Sequence, residues 1–263
     1  MHVKPSQEES RMKIGKYLPC TLPLKLQDRQ TKAMSSSSPE DDDEDCVVAI
    51  KFLGPQLNPE KEWINVRIEN PSFFSSPIIF SKKDDVFLIP GAGGHIIASW
   101  DHHNQSSKNP PKLQSLLFQN IPKLSKTKRD ILDSCYSCCT SEHVVGSKPT
   151  GEIFMVKLYR KFARMMYDGT ARLRTEALMV FKLDDERNAV YTQDIGDLCI
   201  FLTRSEPFCL PSSFSLTLCR PNCVKIMDLD ENKIFKLSDQ NWNCSRWQAP
   251  VEYVRYASTW YWA

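Results

Sequence analysis

Short apolar runs broken by turn-forming residues set the rhythm of the chain from Cys46 onward. Residues 46–53, 63–68, 77–80, 86–89 and 95–100 form five such runs within about 55 residues, the spacing of sandwiches and propellers. After a less regular middle, the rhythm resumes at 142–145, 152–159, 177–183, 189–193, 198–203, 223–229 and 233–237. The pattern therefore predicts roughly a dozen strands.

Several runs are rich in β-branched or aromatic residues and only five to eight long, as in Ile153-Phe154-Met155-Val156. That composition suits strands covered on both faces better than amphipathic helices. Asp184-Asp185-Glu186-Arg187-Asn188 lies between two runs and reads as a hairpin connection, since Asp and Asn tolerate tight backbone geometry. One helix interrupts the strands: Ser125 can cap a segment through Arg129, Ile131 and Leu132.

The two ends lack this rhythm. Residues 1–38 are basic without evident periodicity, and Ser35 to Ser38, Pro39 and the acidic run 40–45 form a solvated stretch, because clustered like charges repel. Residues 1–45 are accordingly read as a disordered tail, basic and then acidic. Glu8 and Glu9 argue against a typical mitochondrial presequence, which is poor in acids. At the other end, 241–263 is crowded with Trp242, Trp247, Tyr253, Tyr256, Trp260, Tyr261 and Trp262. Trp260 and Trp262 are candidates either for closing a sheet or for contacting a partner.

The 263-residue length allows a sizeable core, and a formal charge of +2 advertises neither nucleic acid nor membrane. No run reaches the roughly 18 apolar residues needed to span a bilayer, and no compact apolar segment of a secretory signal is evident. The ten cysteines are therefore read as reduced thiols, Cys219 and Cys223 included. The glycosylation tripeptides at Asn104 and Asn243 are read as silent.

Catalytic signatures are missing: there is neither a Gly-x-Ser-x-Gly elbow nor a His-Glu-x-x-His helix. Gly146 to Gly151 has the outer spacing of a phosphate loop, but Glu152-Ile153 stands where Lys and Ser or Thr belong. Gly91-Ala92-Gly93-Gly94 reads as a turn between strands. His102 and His103 beside Asp101 lack a nucleophile to serve and read as an exposed loop. Cys135, Cys138, Cys139 and His143 could offer zinc a soft donor set, yet four ligands in nine residues would need an unusually tight loop. Free thiols are the plainer reading, and no cofactor is expected.

Two basic clusters stand out. One comprises Lys123, Lys126, Lys128 and Arg129; the other comprises Lys157, Arg160, Lys161, Arg164, Arg172 and Arg174 around an expected long loop. Phe162 and Tyr167 fall within the second and could stack on unpaired bases. Solvated surface charge and phosphate contact are the two readings of these clusters.

The most detailed stretches are Glu152 to Lys157, Met179-Val180-Phe181-Lys182-Leu183-Asp184, and Tyr191 to Leu202 with its Asp194-Ile195-Gly196-Asp197 core. Gly94 to Asp101, ending in Trp-Asp, and Pro221-Asn222-Cys223-Val224-Lys225-Ile226 accompany them. Together they make the chain resemble the plant KIB-type β-propeller family, a domain of unknown function often found behind an F-box. The resemblance covers about 46–240, and 35–55 with the Gly-Gly-His stretch looks nearest an organelle-targeted branch. No F-box helix pair precedes it here, which removes the physical link to a ubiquitin ligase.

These readings define the expectation: an all-β chain, a partial β-propeller of about three four-stranded blades, with one short helix in a connection and a disordered N-terminus. Its segments are a tail at 1–45, a propeller portion at 46–240 and an aromatic segment at 241–263. The resemblance implies an N-terminally shortened, non-enzymatic module that binds a protein, inside the cell, in cytoplasm or nucleus, with mitochondria as the alternative from the organellar branch. Nucleic-acid binding through 157–174 and a ubiquitin-ligase adaptor role are the other functional readings. Open sheet edges would also permit self-association, and no membrane contact is expected.

Overall fold

In a computed structural model, the described residues are 10–16, 32–35, 47–53, 63–68, 70–73, 76–101, 103, 110–135, 140–165, 171–203, 206–214, 219–228, 231–239 and 244–246. They form four sheets and one α-helix. The chain divides into two compact units, one of Met1–Pro122, Val144–Val156 and Phe181–Tyr191, the other of Lys123–His143, Lys157–Val180 and Thr192–Ala263.

The first unit opens with β1 (Ser10–Lys16), β2 (Lys32–Ser35), β3 (Val47–Leu53) and β4 (Trp63–Ile68). Their sheet order is β2-β3-β1-β4, with β1 antiparallel to both flanking strands, Ile14 facing Ala49 on one side and Ile64 on the other. The strand rhythm thus begins well before Cys46. The signal lay in Arg11-Met12-Lys13-Ile14, whose polar and apolar residues alternate with the period of a strand beneath the dominant basic charge.

The second sheet is a meander of β5 (Ile79–Ser81), β6 (Val86–Pro90), β7 (Ile96–Asp101) and β8 (Lys112–Ser115), each antiparallel to the next. Asp85, at φ 54°, turns β5 into β6. Between β6 and β7, Gly93 and Gly94 take φ 84° and 61°, left-handed values that glycine adopts without steric cost. Ala49, Val66 and Ile68 from the first sheet and Phe87, Ile89, Ala98 and Trp100 from the second enclose one core with Phe73 and Ile78.

The third sheet has the order β10-β11-β12-β13-β9, formed by β9 (Phe118–Gln119), β10 (Thr140–Gly146), β11 (Ile153–Met165), β12 (Ala171–Leu183) and β13 (Ala189–Thr192). Four consecutive strands run in chain order, and β9 adds in parallel beyond β13. Before β10 comes α1 (Lys126–Ser134), capped as expected by Ser125, whose hydroxyl accepts the Lys128 amide at 3.4 Å. The turn 184–188 is also as expected: Asp184 Oδ1 accepts the Asn188 amide at 2.6 Å, and Arg187 sits at φ 61°.

The fourth sheet belongs to the second unit and has the order β15-β14-β16-β17-β18. It comprises β14 (Leu198–Thr203), β15 (Pro207–Pro211), β16 (Cys223–Met227), β17 (Asn232–Lys236) and β18 (Cys244–Arg246). β14 and β16 are parallel, and the remaining pairings are antiparallel. β14 is buried along nearly its whole length, as its run Leu-Cys-Ile-Phe-Leu requires. The architecture is all-β, with sheets of four or five strands as in propeller blades, and the early strands and short edge strands bring four such sheets where the runs alone led to about three.

Candidate interaction surface

The second basic cluster falls on strands. Lys157, Arg160, Lys161 and Arg164 lie in β11, and Arg172 and Arg174 lie in β12. The expected 157–174 loop is thereby corrected: only 166–170, Tyr167 among them, lies between the strands and outside the described residues. The physical reason is that Leu158, Leu173 and Thr175 extend the alternation of the neighbouring apolar runs, which the dense charge conceals.

Each of these strands has 13 residues, about 43 Å at the usual rise. Burial changes along them. Phe154, Met155 and Val156 are covered on both faces, whereas Lys161 and Phe162, on opposite faces of β11, are both exposed, Phe162 at 52%. On β12 the run Ala177–Phe181 is buried throughout, and toward the start of the strand burial alternates, with Thr175 buried and Arg174 exposed. The paired strands thus carry cationic and aromatic side chains away from the covered part of their sheet.

The electrostatics are set locally. Arg174 meets Glu176 at 3.5 Å, and burial pushes the Lys157 ammonium down, with Glu142 opposing. Arg160 Nε is buried without a hydrogen-bond partner. The side chains of Arg164 and Arg172 lie outside the described residues, as do Trp260 and Trp262 entirely. In the first basic cluster, Lys123, Lys126 and Arg129 are exposed on and before α1, which buries none of its residues.

Of the thiol and imidazole set, Cys135 ends α1 and is buried, and burial pushes its thiol up. Ser134 partly offsets this by hydrogen bonding, while Glu176 and Lys161 act on it in opposite senses. His143 shares a 3.1 Å hydrogen bond with Ser141. Cys138 and Cys139 lie outside the described residues. Among the described residues no group of three or more His, Cys, Asp and Glu is placed to hold a metal.

The two glycine turns use their amides internally. Gly91 donates to Ile96 O, Ala92 to Ser72 O and Gly94 to Gly91 O. At Gly146–Gly151, Gly151 donates to Ser147 O, and Glu152 holds Lys182 and accepts the Thr150 hydroxyl at 3.0 Å. His103 pairs with Asp85 on the surface, and His102 lies outside the described residues.

Pattern reading misses a second set of exposed apolar side chains. Leu113, Leu117 and Ile121 follow one another along and beyond β8, and Phe214 is exposed after β15. An isolated Leu or Phe among polar neighbours gives no periodic signal, so only burial reveals them.

A family model described as KIB1-4 beta-propeller matches residues 9–243. The chain belongs to the KIB1-4 beta-propeller family. The match includes β1 and β2 as well as the 46–240 expected from motifs. Neither the curated proteins nor the solved structures compared with the chain yield a match.

The residues that carry the resemblance brace this propeller. Asn222, at φ 52°, accepts the Ile195 amide through Oδ1 at 3.1 Å and donates from Nδ2 to Gln193 O at 3.0 Å. Its own amide reaches Gly196 O, and its carbonyl accepts from Leu237. Asp194 Oδ1 accepts the Gly196 amide at 2.8 Å, while Asp197 accepts both the hydroxyl and, through its carbonyl, the amide of Ser212. These motif residues therefore fix the turn into β14 against the turn into β16, which is a structural task.

Proposed function

We propose that this propeller acts by binding another protein without catalysing a reaction, and that the end of the β11–β12 pair is its contact. The observation that carries this reading is that β11 becomes exposed on both faces at Lys161 and Phe162, while Arg174 is exposed on the neighbouring strand β12. Aromatic and arginine side chains are enriched among the residues that supply most binding energy at protein interfaces, aromatics because they bury large area with few lost rotamers and arginine because its planar fork makes several hydrogen bonds. Arg164 and Arg172 lie on the same stretch, so an acidic partner surface fits best.

The same residues support a second reading, since an exposed Phe162 beside cations is also what stacks unpaired bases. Comparative capture from cell extract separates the two, using wild type and the K161A/F162A/R174A variant, each with and without nuclease. The expected result is a set of proteins retained by wild type, lost by the variant and indifferent to nuclease. Loss on nuclease treatment would favour nucleic acid, and identical capture by wild type and variant would remove the surface from consideration.

A further inference from the structure

The fourth sheet holds two thiols that the interaction surface does not use. Cys199, second in β14, faces Cys223, first in β16, in the parallel register, and their sulfurs lie 3.3 Å apart. Both residues are fully buried and share a cluster with Phe201, Cys219 and Ile234. The next pair on the same face is Phe201 and Lys225, with the buried Lys225 ammonium 5.6 Å from the Phe201 ring centre. We propose that Cys199 and Cys223 form a reversible intramolecular disulfide under hydroperoxide, a redox-controlled lock between β14 and β16.

The geometry favours this chemistry over inert burial. Adjacent strands are about 4.8 Å apart, within the Cα separation that a disulfide bridges, and the sulfurs need close by only about 1.3 Å to bond. Access is short, since exposed Gly196 and Asp197 lead into β14, and exposed Arg220 and Pro221 precede Cys223. A molecule as small as hydrogen peroxide needs only local opening of these turns.

Cys223 is the attacking sulfur. As a thiol it donates to Arg220 O at 2.9 Å; as a thiolate it is favoured first by the Cys199 S–H, then by the Arg220 backbone and by Lys225, against the burial that opposes any charge and that also lowers the Lys225 pKa. Cys199 is shifted the other way by its sulfur neighbour and by burial, so it keeps its proton and waits as the resolving thiol. The Cys223 thiolate attacks one peroxide oxygen, the O–O bond breaks, and the leaving hydroxide takes up a proton to become water, leaving a sulfenic acid. Cys199 sulfur then attacks that sulfur, losing its proton as the S–O bond breaks and a second water departs. Two thiols lose two electrons and two protons, and one peroxide is reduced to two waters.

The lock would close a loop that contains β15 and the 3-10 turn Ser212–Phe214, whose Phe214 is exposed. Oxidation would thereby hold one exposed aromatic element against its sheet, whatever partner that surface meets.

The test treats the native full chain with graded hydrogen peroxide, blocks remaining thiols after denaturation, and maps cysteine peptides by mass spectrometry without reduction. The expected product is a Cys199–Cys223 cross-linked peptide that disappears on reduction by dithiothreitol. Lys225→Met, which removes the cation that favours the Cys223 thiolate, should slow its appearance. Recovery of both cysteines as free thiols when other cysteines of the chain are oxidised, or pairing of Cys223 with Cys219, would overturn the proposal. Because the mapping is made on the wild-type chain, an unstable variant does not obscure the result.

Discussion

Asn222 shows how much one side chain can hold. Its left-handed backbone and its amide group tie the turn before β14 to the turn before β16, so truncation removes two part-buried hydrogen bonds and leaves the Ile195 amide and the Gln193 carbonyl to find water. Asn222→Ala should destabilise the chain by about 3 kcal/mol, whereas Asn222→Gly, which keeps the backbone conformation, should cost about half of that. Urea unfolding at constant m-value measures the difference. Glu152 gives a pH-dependent case. Hydrogen bonding from Lys182, opposed by burial and aided by Thr150, holds its carboxyl below the ordinary 4.5. A carboxyl lowered in the folded state stabilises above its unfolded value and loses that contribution as pH falls through the folded one. Glu152→Gln should therefore lose little at pH 7, under about 1 kcal/mol for a partly exposed pair, and should flatten stability-versus-pH specifically below pH 4.5. The motif residues were legible in sequence as letters, but their bracing role was not, because it depends on partners about 27 positions apart that only the fold brings together.

At the scale of elements, β12 is held by more than its ladder. The Glu231 carboxylate accepts the Thr175 amide at 2.8 Å and the Thr175 hydroxyl at 2.6 Å, and Lys233 Nζ bridges Glu231 at 2.7 Å and Thr175 O at 2.7 Å. Glu231 and Lys233 side chains are only 8% and 12% exposed. Removing either partner strands a buried charge, so Glu231→Leu or Lys233→Met should each cost about 3–5 kcal/mol, and the double variant clearly less than their sum. A double-mutant cycle by chemical unfolding checks this, and additive losses would mean the pair is not coupled. The elements themselves were unequally legible. β4 and β14 match their predicted bounds because their apolar runs are dense and clearly ended. β15 escaped because Pro207 and Pro211 read as breaks, yet it is the sheet's terminal strand in order β15-β14-β16-β17-β18, where proline is tolerated. β8 escaped because Lys112-Leu113-Gln114-Ser115 is mostly exposed and carries no core face for a pattern to follow.

At the scale of the whole molecule, the family and the all-β class were legible because short apolar runs recur at strand spacing along the chain, and several motifs add their signals. The proposed interaction surface was only half legible. Its charges stand out in the sequence, but a run of Lys and Arg looks like a loop until the fold shows two long strands. Leu113, Leu117 and Ile121, exposed on the first unit with Lys112 next to Leu113 in the chain, are the rival candidate for a contact. Amine cross-linking of the chain in cell extract, followed by mass spectrometry, weighs the two directly, since Lys161 and Lys112 are both exposed reporters. Cross-links to another protein concentrated at Lys161 and abolished by F162A/R174A are the expected result. Partner cross-links concentrated at Lys112 and unchanged in that variant would contradict the assignment of binding to the β11–β12 end.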